Sequence, residues 1–277
     1  MKSLMLKLLI STVLLNSILF AVSTQDRVLR YEKHRISNNP TITLKKIKLQ
    51  FTKKLKDNWV GYVFNIDLQI HGKDINVNDV LFSDGKYIVE DLRKINGYSF
   101  KKNMHPTLDS KFYNDKYLIA GNKNAQHKIV MFSDPLCPIC TGEVPQIIKD
   151  VQSHPNTLAL YYITMPLDMH PTARVISKAT QIAKEQGIKN IEYKVYTAKL
   201  NRFFDPYKNR DKQKSLDAFN KVLGTKITME QIKSKKLTQF IRENLKLSQE
   251  ALVNGTPTLF FDGEIDTQRD KYKKYIK

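Results

Sequence analysis

The hydrophobic and polar positions of this chain follow one pattern in its first part and another in its second. Between Val60 and Ile70, apolar residues occupy every second position, as is typical of a half-buried antiparallel strand. Residues 83–86 read S-D-G-K and predict a hairpin turn. Shorter or weaker apolar patterns predict further strands at residues 41–51, 75–77, 80–83 and 87–91. The first part is therefore predicted to be β-rich.

The second part of the chain alternates apolar runs with helical periodicity. Residues 129–132, 158–164 and 258–261 are short apolar runs that predict buried strands. Helices are predicted, in chain order, at residues 138–151, 171–186, 190–203, 211–223, 228–253 and 267–276. Strands that alternate with helices are typical of an α/β domain, so the two parts are predicted to be separate domains.

These patterns divide the chain into four segments. Residues 1–23 are predicted to be a signal peptide and residues 24–104 a small β-rich domain. Residues 105–126 are predicted to be a linker that is partly helical, between 106 and 119, and residues 127–277 an α/β domain. With 277 residues the chain is long enough for two domains with cores of ordinary size.

The first 23 residues show the order of regions found in secretory signals. Lys2 and Lys7 come before an apolar run from Leu8 to Phe20, and Ala21-Val22-Ser23 places small residues at the cleavage positions. The apolar run is shorter than the roughly 20 residues that a spanning helix needs. We expect export to the periplasm with a mature chain that starts near Thr24, and an uncleaved N-terminal anchor is the alternative.

The charge of the chain is strongly positive but diffuse. The sequence has 46 Lys and Arg against 27 Asp and Glu, a net charge of +19, and 37 of the 46 cations are lysines spread along the whole chain. Proteins that bind nucleic acids concentrate their cations in one patch or motif, and this sequence has no Arg cluster and no such motif. We therefore expect no nucleic-acid partner.

The candidate chemistry lies in the two cysteines of the chain, which stand in the run Cys137-Pro138-Ile139-Cys140. The run follows a predicted strand and opens a predicted helix. A helix N-terminus offers unpaired N–H groups and about half a positive charge, and both stabilise a thiolate at Cys137. The spacing lets Cys140 reach back to a mixed disulfide on Cys137. Pro138 suits the first helical turn, and Ile139 completes the motif.

Other uses of a C-x-x-C pair fit this sequence less well. A zinc site needs further ligands at close spacing, and no second cysteine pair exists. Attachment of haem requires a histidine at position 141, which is Thr141. A structural disulfide over so short a loop would add little stability. A redox-active pair is the favoured interpretation, and the inert disulfide is the main alternative.

A second motif lies far downstream, where residues 255–258 read G-T-P-T just before a predicted strand. Together with the C-x-x-C run, and with Pro145 inside the helix, this motif resembles the thioredoxin-fold protein disulfide oxidoreductases. The resemblance implies that the Thr256–Pro257 bond is cis and faces Cys137. It also implies that the backbone of Thr256 is an extended edge to which a substrate peptide binds.

Within that family, the chain is most similar to the periplasmic disulfide isomerases of the DsbC/DsbG type. Four features carry this resemblance, two of which are the F-S-D-P-L-C-P-I-C run at residues 132–140 and the threonine before Pro257. The third is the L-F-S-D-G-K-Y-I run at residues 81–88, which resembles a strand–turn–strand of the dimerisation domain. The fourth is a helical insertion between the strands at 158–164 and 258–261.

This resemblance implies a thioredoxin-like α/β catalytic domain with a helical insertion, preceded by a small β-rich dimerisation domain. The implied activity is isomerisation or reduction of wrong disulfides in exported proteins. Cys137 would attack, and Cys137 and Cys140 would form the redox disulfide. No metal and no organic cofactor are implied. The implied partners are exported proteins with cysteines, a second copy of the chain, and a membrane reductant of the DsbD kind.

The resemblance is incomplete, and the departures leave alternatives open. Pro138-Ile139 is the dipeptide of neither isomerase, so a net oxidase served by a membrane oxidant of the DsbB kind is one alternative. A chaperone or binding module with incidental cysteines is another. Met131 stands where thioredoxins keep a buried aspartate, which leaves the proton acceptor for Cys140 unassigned. His170 is predicted to be a helix-entry residue. The N-terminal domain before residue 55 has no clear counterpart in the family, and Thr24–Asn39 is expected to be a mobile or extra element.

Overall fold

The computed structural model of the protein describes residues 23–276. The chain divides into two compact units, an N-terminal unit that ends at Asp91 and a C-terminal unit that begins at Leu92. The predicted signal peptide lies almost wholly outside the described residues. Within residues 23–276, none of the helices combines the length and the apolar character needed to cross a bilayer.

The N-terminal unit is a helix followed by a four-stranded antiparallel sheet. The elements are α1 (Thr24–Ser37), β1 (Ile42–Lys54), β2 (Val60–Ile70), β3 (Lys73–Ser83) and β4 (Ile88–Val89). The strands lie in chain order, so each is hydrogen-bonded to the next. The prediction of a β-rich N-terminal part is confirmed, although the two short strands expected at 75–83 are one continuous strand.

The core of the N-terminal unit lies between α1 and one face of the sheet. Val28 and Ile36 of α1 are buried together with the apolar positions of β2, of which Phe64 and Ile66 are at most 2% exposed. Ser23 caps α1, because its hydroxyl accepts a hydrogen bond from the N–H of Asp26 at 3.1 Å. Thr24–Asn39, which we expected to be a mobile or extra element, therefore contains a capped helix that supplies part of the core.

The C-terminal unit is built on a mixed five-stranded sheet. Its strands are β5 (Leu118–Gly121), β6 (His127–Ser133), β7 (Leu158–Thr164), β8 (Thr258–Phe261) and β9 (Glu264–Asp266), in the spatial order β5-β7-β6-β8-β9. The central pair β6 and β7 is parallel, and the other pairs are antiparallel. The apolar residues of β6 are buried, and those of β7 are buried except for the half-buried Tyr162, as expected for strands covered on both faces.

Helices follow β6 and fill the long connection between β7 and β8. They are α2 (Pro138–Ser153), α3 (Ala173–Glu185), α4 (Ile191–Thr197), α5 (Lys212–Leu223), α6 (Met229–Ile232) and α7 (Lys235–Glu250). The helical insertion is confirmed, but the helix expected at 228–253 is two helices. The first ends at Ile232, and Ser234 caps the second, since its hydroxyl accepts a hydrogen bond from the N–H of Leu237.

Residues 105–126 do not form the linker that we predicted. They belong to the C-terminal unit, whose boundary at Leu92 lies earlier than the predicted domain boundary after residue 104. The expected helix at 106–119 is instead two 3-10 turns, Ser110–Tyr113 and Asp115–Tyr117, followed by β5. Phe112 and Tyr117 are buried in the core beneath the sheet, because this segment covers apolar surface and is not a free connection.

Candidate active site

The C-x-x-C run lies at the junction between β6 and α2, as the sequence predicts. Cys137 is the N-cap residue of α2, and Pro138 occupies the first helical turn, where its missing N–H leaves no hydrogen bond unmade. Ile139 is 56% exposed, whereas Cys140 is fully buried. Both cysteines are thiols in this structure. The helix therefore presents the first sulfur at its end and holds the second inside the core.

The loop with Pro257 lies against Cys137. The Thr256–Pro257 peptide bond is cis, and the Cys137 Sγ lies 3.5 Å from the carbonyl oxygen of Thr256, to which the sulfur donates a hydrogen bond when it is protonated. Both features were predicted and are confirmed. Cys137 is only 6% exposed.

The Cys137 thiol is strongly acidic. Its pKa is lowered to about 5, chiefly because the Cys140 thiol donates a hydrogen bond to the thiolate, while burial opposes this effect and backbone N–H groups at Ile139 and Cys140 support it. A thiol with this pKa is almost wholly ionised at neutral pH. Cys137 is therefore a nucleophile under ordinary conditions without help from a general base.

The Cys140 thiol has the opposite character. Burial raises its pKa far above the ordinary range, and the negative charge of Cys137 raises it further. Against these effects, the Ser133 hydroxyl lowers the pKa of Cys140 by hydrogen bonding. Cys140 therefore stays protonated while Cys137 is ionised, and it must lose its proton before it can act as a nucleophile.

A chain of buried hydroxyl groups begins beside Cys140. The Ser133 Oγ lies 2.6 Å from the hydroxyl of Tyr196, which lies 2.9 Å from the hydroxyl of Tyr162. Burial raises the pKa of both tyrosines, and the charge that Cys140 would carry raises it further, so the phenols remain protonated donors. Sequence reasoning missed this chain of hydroxyl groups.

The loop before Cys137 is held by a buried carboxylate. Asp134 is fully buried, and its oxygens accept hydrogen bonds from the backbone N–H groups of Leu136 and Leu167, each at 2.7 Å. The Nδ1 atom of His170 lies 2.8 Å from the same carboxylate. One side chain thus ties the active-site loop to the segment that leads from β7 into α3.

His170 is more than the helix-entry residue that we predicted. It does precede α3, but its imidazole is 2% exposed and packs between Asp134 and the ring of Tyr207, 4.9 Å away. Burial lowers the pKa of His170, yet the hydrogen bond and charge of Asp134 and the charge of Cys137 together raise it above its ordinary value. Asp134 and Cys137 therefore favour the protonated form of His170, which would add positive charge near the thiolate.

A cavity of about 570 Å³ opens beside the C-x-x-C run. The loop and α2 contribute Leu136, Pro138 and Thr141 to its lining, and the α4 region contributes Tyr196 and Leu200. This volume falls within the range of ordinary ligand pockets. An acidic sulfur, a protonated partner sulfur, an open backbone edge and an adjacent apolar cleft together suit thiol–disulfide exchange with a peptide.

The ionisation of Cys137 makes a direct prediction about reactivity. In the reduced protein, the rate of alkylation by iodoacetamide should rise with pH through a midpoint near 5, the pKa of Cys137, and then stay level to neutral pH. The rate falls below the midpoint because only the thiolate reacts. Mass spectrometry after proteolysis should find the label on Cys137, and equal labelling of Cys140 at pH 6 would contradict the assignment.

Comparisons with known proteins place these observations in a family. The model of the family described as Thioredoxin matches residues 114–277. Similar solved structures include a thioredoxin-like oxidoreductase from Silicibacter pomeroyi DSS-3, with 20% identity over 57% of this chain and 87% of that chain and a TM-score of 0.45. A periplasmic thioredoxin-like protein from Salmonella enterica serovar Typhimurium is 21% identical over 60% of this chain and 94% of that chain, with a TM-score of 0.47.

A third structure, oxidised BdbD from Bacillus subtilis, is 16% identical over 59% of this chain and 92% of that chain, with a TM-score of 0.45. No curated protein sequence matches the chain. The family match covers more than half of the chain, including the cysteines, the cis-proline loop and all the strands of the larger sheet. The chain therefore belongs to the thioredoxin family, and the predicted thioredoxin-like α/β fold of its C-terminal part is confirmed.

Proposed function

We propose that this protein is an exported thiol–disulfide oxidoreductase that isomerises or reduces wrong disulfides in other exported proteins. The observation that carries the proposal is the pairing of an acidic Cys137 with a buried, protonated Cys140 beside the cis-proline loop. An inert structural disulfide needs no such difference between its two sulfurs. A thiolate poised beside an open backbone edge is what attack on a substrate disulfide requires.

The reaction begins when the Cys137 thiolate attacks one sulfur of a substrate disulfide. The substrate S–S bond breaks, one substrate sulfur leaves as a thiolate, and the other becomes bonded to Cys137. In isomerisation, a different substrate thiolate then attacks this mixed disulfide, releases the Cys137 thiolate and forms a new substrate disulfide. Electrons are only rearranged in that sequence, so no external donor is consumed.

In reduction, Cys140 resolves the mixed disulfide instead. Its sulfur attacks the Cys137 Sγ, the bond to the substrate breaks, and the substrate leaves with two electrons while Cys137 and Cys140 become a disulfide. The Ser133 hydroxyl, which Tyr196 supports, stabilises the developing Cys140 thiolate by hydrogen bonding. A membrane dithiol reductant, of the DsbD kind in the family that the chain resembles, would return the pair to the reduced form.

Substrate recognition follows from the surfaces around Cys137. The carbonyl oxygen of Thr256 lies next to the sulfur, so an extended peptide can add to this backbone edge as a short strand. The cleft lined by Leu136, Pro138 and Leu200 accepts apolar side chains that flank a substrate cysteine. Backbone pairing with a shallow apolar cleft favours unfolded or misfolded chains of many sequences over one particular partner.

A net disulfide oxidase is the second candidate, and the acidity of Cys137 favours it. A pKa near 5 stabilises the reduced form of the pair, and a stabilised reduced form makes the disulfide form a stronger oxidant. In this role, a substrate thiolate attacks the Cys137 sulfur of the Cys137–Cys140 disulfide, which forms a mixed disulfide and frees Cys140 as a thiolate. A second substrate thiolate then attacks the substrate sulfur of the mixed disulfide, so the substrate leaves with a new disulfide and the Cys137–Cys140 pair is reduced by two electrons. A membrane oxidant of the DsbB kind would then accept those electrons.

Three measurements on the mature chain separate these functions. The proposal expects the reduced protein to restore activity to a protein refolded with scrambled disulfides, and thiol trapping in cells to find Cys137 and Cys140 mainly reduced. A mainly oxidised pair, with rapid oxidation of a reduced substrate, would favour the oxidase. Unchanged activity in the Cys137→Ser, Cys140→Ser double variant would refute both and leave a chaperone or binding module.

The N-terminal unit is proposed to make the protein a homodimer, as in the DsbC/DsbG type. β1 lies at the edge of the sheet and is 13 residues long, so its outer backbone groups are open to a further strand. Light scattering on the mature chain should give twice the mass of one chain. A mass equal to one chain that does not change with concentration would reject the dimer.

A further inference from the structure

A second large groove lies in the helical insertion, between α3 and α7. Its volume is about 720 Å³, and none of its lining residues lines the cleft beside the cysteines. Val175, Ile232 and Ile241 form a buried apolar floor, and half-buried Met229 and Leu245 extend it. The thiol chemistry described above makes no use of this groove.

The two walls are single stripes of neighbouring helices. On α7, the residues that line the groove run from Thr238 to Gln249. They recur every three or four positions, so their side chains lie on one face of the helix. It follows about three turns, a length of roughly 16 Å at 1.5 Å per residue. The facing stripe on α3 runs from Arg174 to Lys178. A trough between two helix faces has the shape into which a third helix packs.

The rim of the groove is basic. Its lining includes no Asp or Glu, but it includes six cations: Arg174, Lys178, Lys212, Lys233, Arg242 and Lys246. All but Lys178 are exposed. Among residues 23–276, Arg174 pairs with Asp168 at 2.9 Å and Lys246 with Glu250 at 3.9 Å, and no acid pairs with Lys212, Lys233 or Arg242. The rim therefore carries positive charge that the described residues leave unbalanced.

The pKa of Lys178 reflects the positive charge around the groove. Its Nζ donates hydrogen bonds to the carbonyl oxygen of Ile232 at 3.1 Å and to the hydroxyl of Thr238 at 3.0 Å. Burial lowers the pKa of Lys178, and the charges of Lys212 and Arg174 lower it further. A bound carboxylate would relieve this repulsion, so the groove favours a partner with negative charge.

We infer that this groove binds an acidic amphipathic helix of a partner protein, with apolar side chains on the floor and carboxylates against the basic rim. A single fatty-acid carboxylate satisfies only one or two of the cations and leaves the rest unpaired. A helix with acidic residues on both flanks of its apolar stripe meets cations on both walls. Three turns of such a helix match the length of the α7 stripe.

A designed peptide tests the inference. The probe is an 18-residue amphipathic helix, roughly five turns long, with leucines on one face, glutamates on both flanks and a fluorophore at one end. Fluorescence anisotropy with the full mature chain should detect saturable binding that weakens as salt is raised. A peptide with lysines for the glutamates, and one with serines for the leucines, should both bind at least about tenfold more weakly.

Charge reversal in the protein locates the site. The triple variant Lys212→Glu, Lys233→Glu, Arg242→Glu should bind the probe roughly ten- to a hundredfold more weakly, because three exposed ion pairs become repulsions. A matched control, Lys189→Glu, Lys226→Glu, Lys274→Glu, changes the net charge equally at exposed positions outside the groove and should bind almost as the wild type does. Circular dichroism checks that both variants are folded.

The outcomes separate this inference from the proposed function. The Cys137→Ser, Cys140→Ser variant should bind the probe unchanged, because the groove contains neither sulfur. Equal affinity of the two triple variants would overturn the inference. Equal binding of the serine peptide would also overturn it, because the attraction would then be by charge alone. So would binding of oleate without binding of the peptide probe, which would mean a lipid site.

Discussion

Replacement of Cys137 by serine is expected to abolish thiol–disulfide exchange. The serine hydroxyl is not ionised near neutral pH, so no nucleophile remains beside the Thr256 carbonyl. Activity in reduction of a disulfide substrate should fall on the order of a thousandfold or more, to the uncatalysed rate. The loss of activity should occur without unfolding, because the change only replaces a sulfur atom with a smaller oxygen atom at the N-cap residue of α2.

The matched variant is Cys140→Ser, which keeps the nucleophile and removes the resolving sulfur. This variant should accumulate a mixed disulfide between Cys137 and the substrate, visible as a heavier band on a non-reducing gel. Its alkylation midpoint should differ from the wild-type value near 5, because the Cys140 thiol is the main donor to the Cys137 thiolate. Retained turnover in Cys137→Ser, or equal trapping by both variants, would contradict the roles assigned to the two sulfurs.

The residues that the sequence predicted are those whose function depends on contiguous positions. Cys137 and Cys140 stand at a strand–helix junction that five or six neighbouring residues define, and the acidity of the first follows from that local placement. Pro257 was found by family resemblance, since a lone T-P pair is most often an ordinary turn. Its contact with Cys137 joins positions that are far apart in the chain.

The residues that the sequence did not predict act through pairings at long range. Ser133 and Tyr196 meet because α4 packs against α2 beside the end of β6, and nothing near either residue in the sequence marks that contact. Asp134 stands inside the quoted motif, yet its partners Leu167 and His170 lie on the segment after β7. They meet because the parallel register pairs Ser133 with Thr164.

The misplaced elements have a similar cause. Residues 106–119 have enough helical character to predict a helix, but burial of Phe112 and Tyr117 and the pairing of Leu118 with Tyr161 override that local preference. The helix expected at 228–253 begins after its cap Thr228 but is interrupted because Ser234 caps a second helix start inside the same segment. A periodic apolar pattern continues through both caps, so periodicity alone does not reveal the break.

The Asp134 carboxylate carries the largest expected effect on stability. Asp134→Ala leaves three buried donors, the N–H groups of Leu136 and Leu167 and the Nδ1–H of His170, without their acceptor. Breaking a buried, hydrogen-bonded charge pair of this kind costs about 3–5 kcal/mol. The urea concentration at the midpoint of unfolding should therefore fall strongly. The control is Asp168→Ala, at a carboxylate that is 90% exposed in its pair with Arg174, and this change should cost about 1 kcal/mol at most.

The pH dependence of the loss of stability tests whether Asp134 and His170 form an ion pair. The pKa of His170 is raised above its ordinary value in the folded protein, so the folded state binds a proton more tightly than the unfolded chain does. The stabilisation by the pair is complete below the unfolded pKa of about 6.5 and is lost as pH rises through the higher folded pKa. The difference in free energy of unfolding between the wild type and Asp134→Asn, which removes the charge and keeps the shape, should therefore be largest near pH 6 and shrink towards pH 9. A difference that stays constant over this range would mean that Asp134 stabilises the fold only as a hydrogen-bond acceptor, with no contribution from the charge of His170.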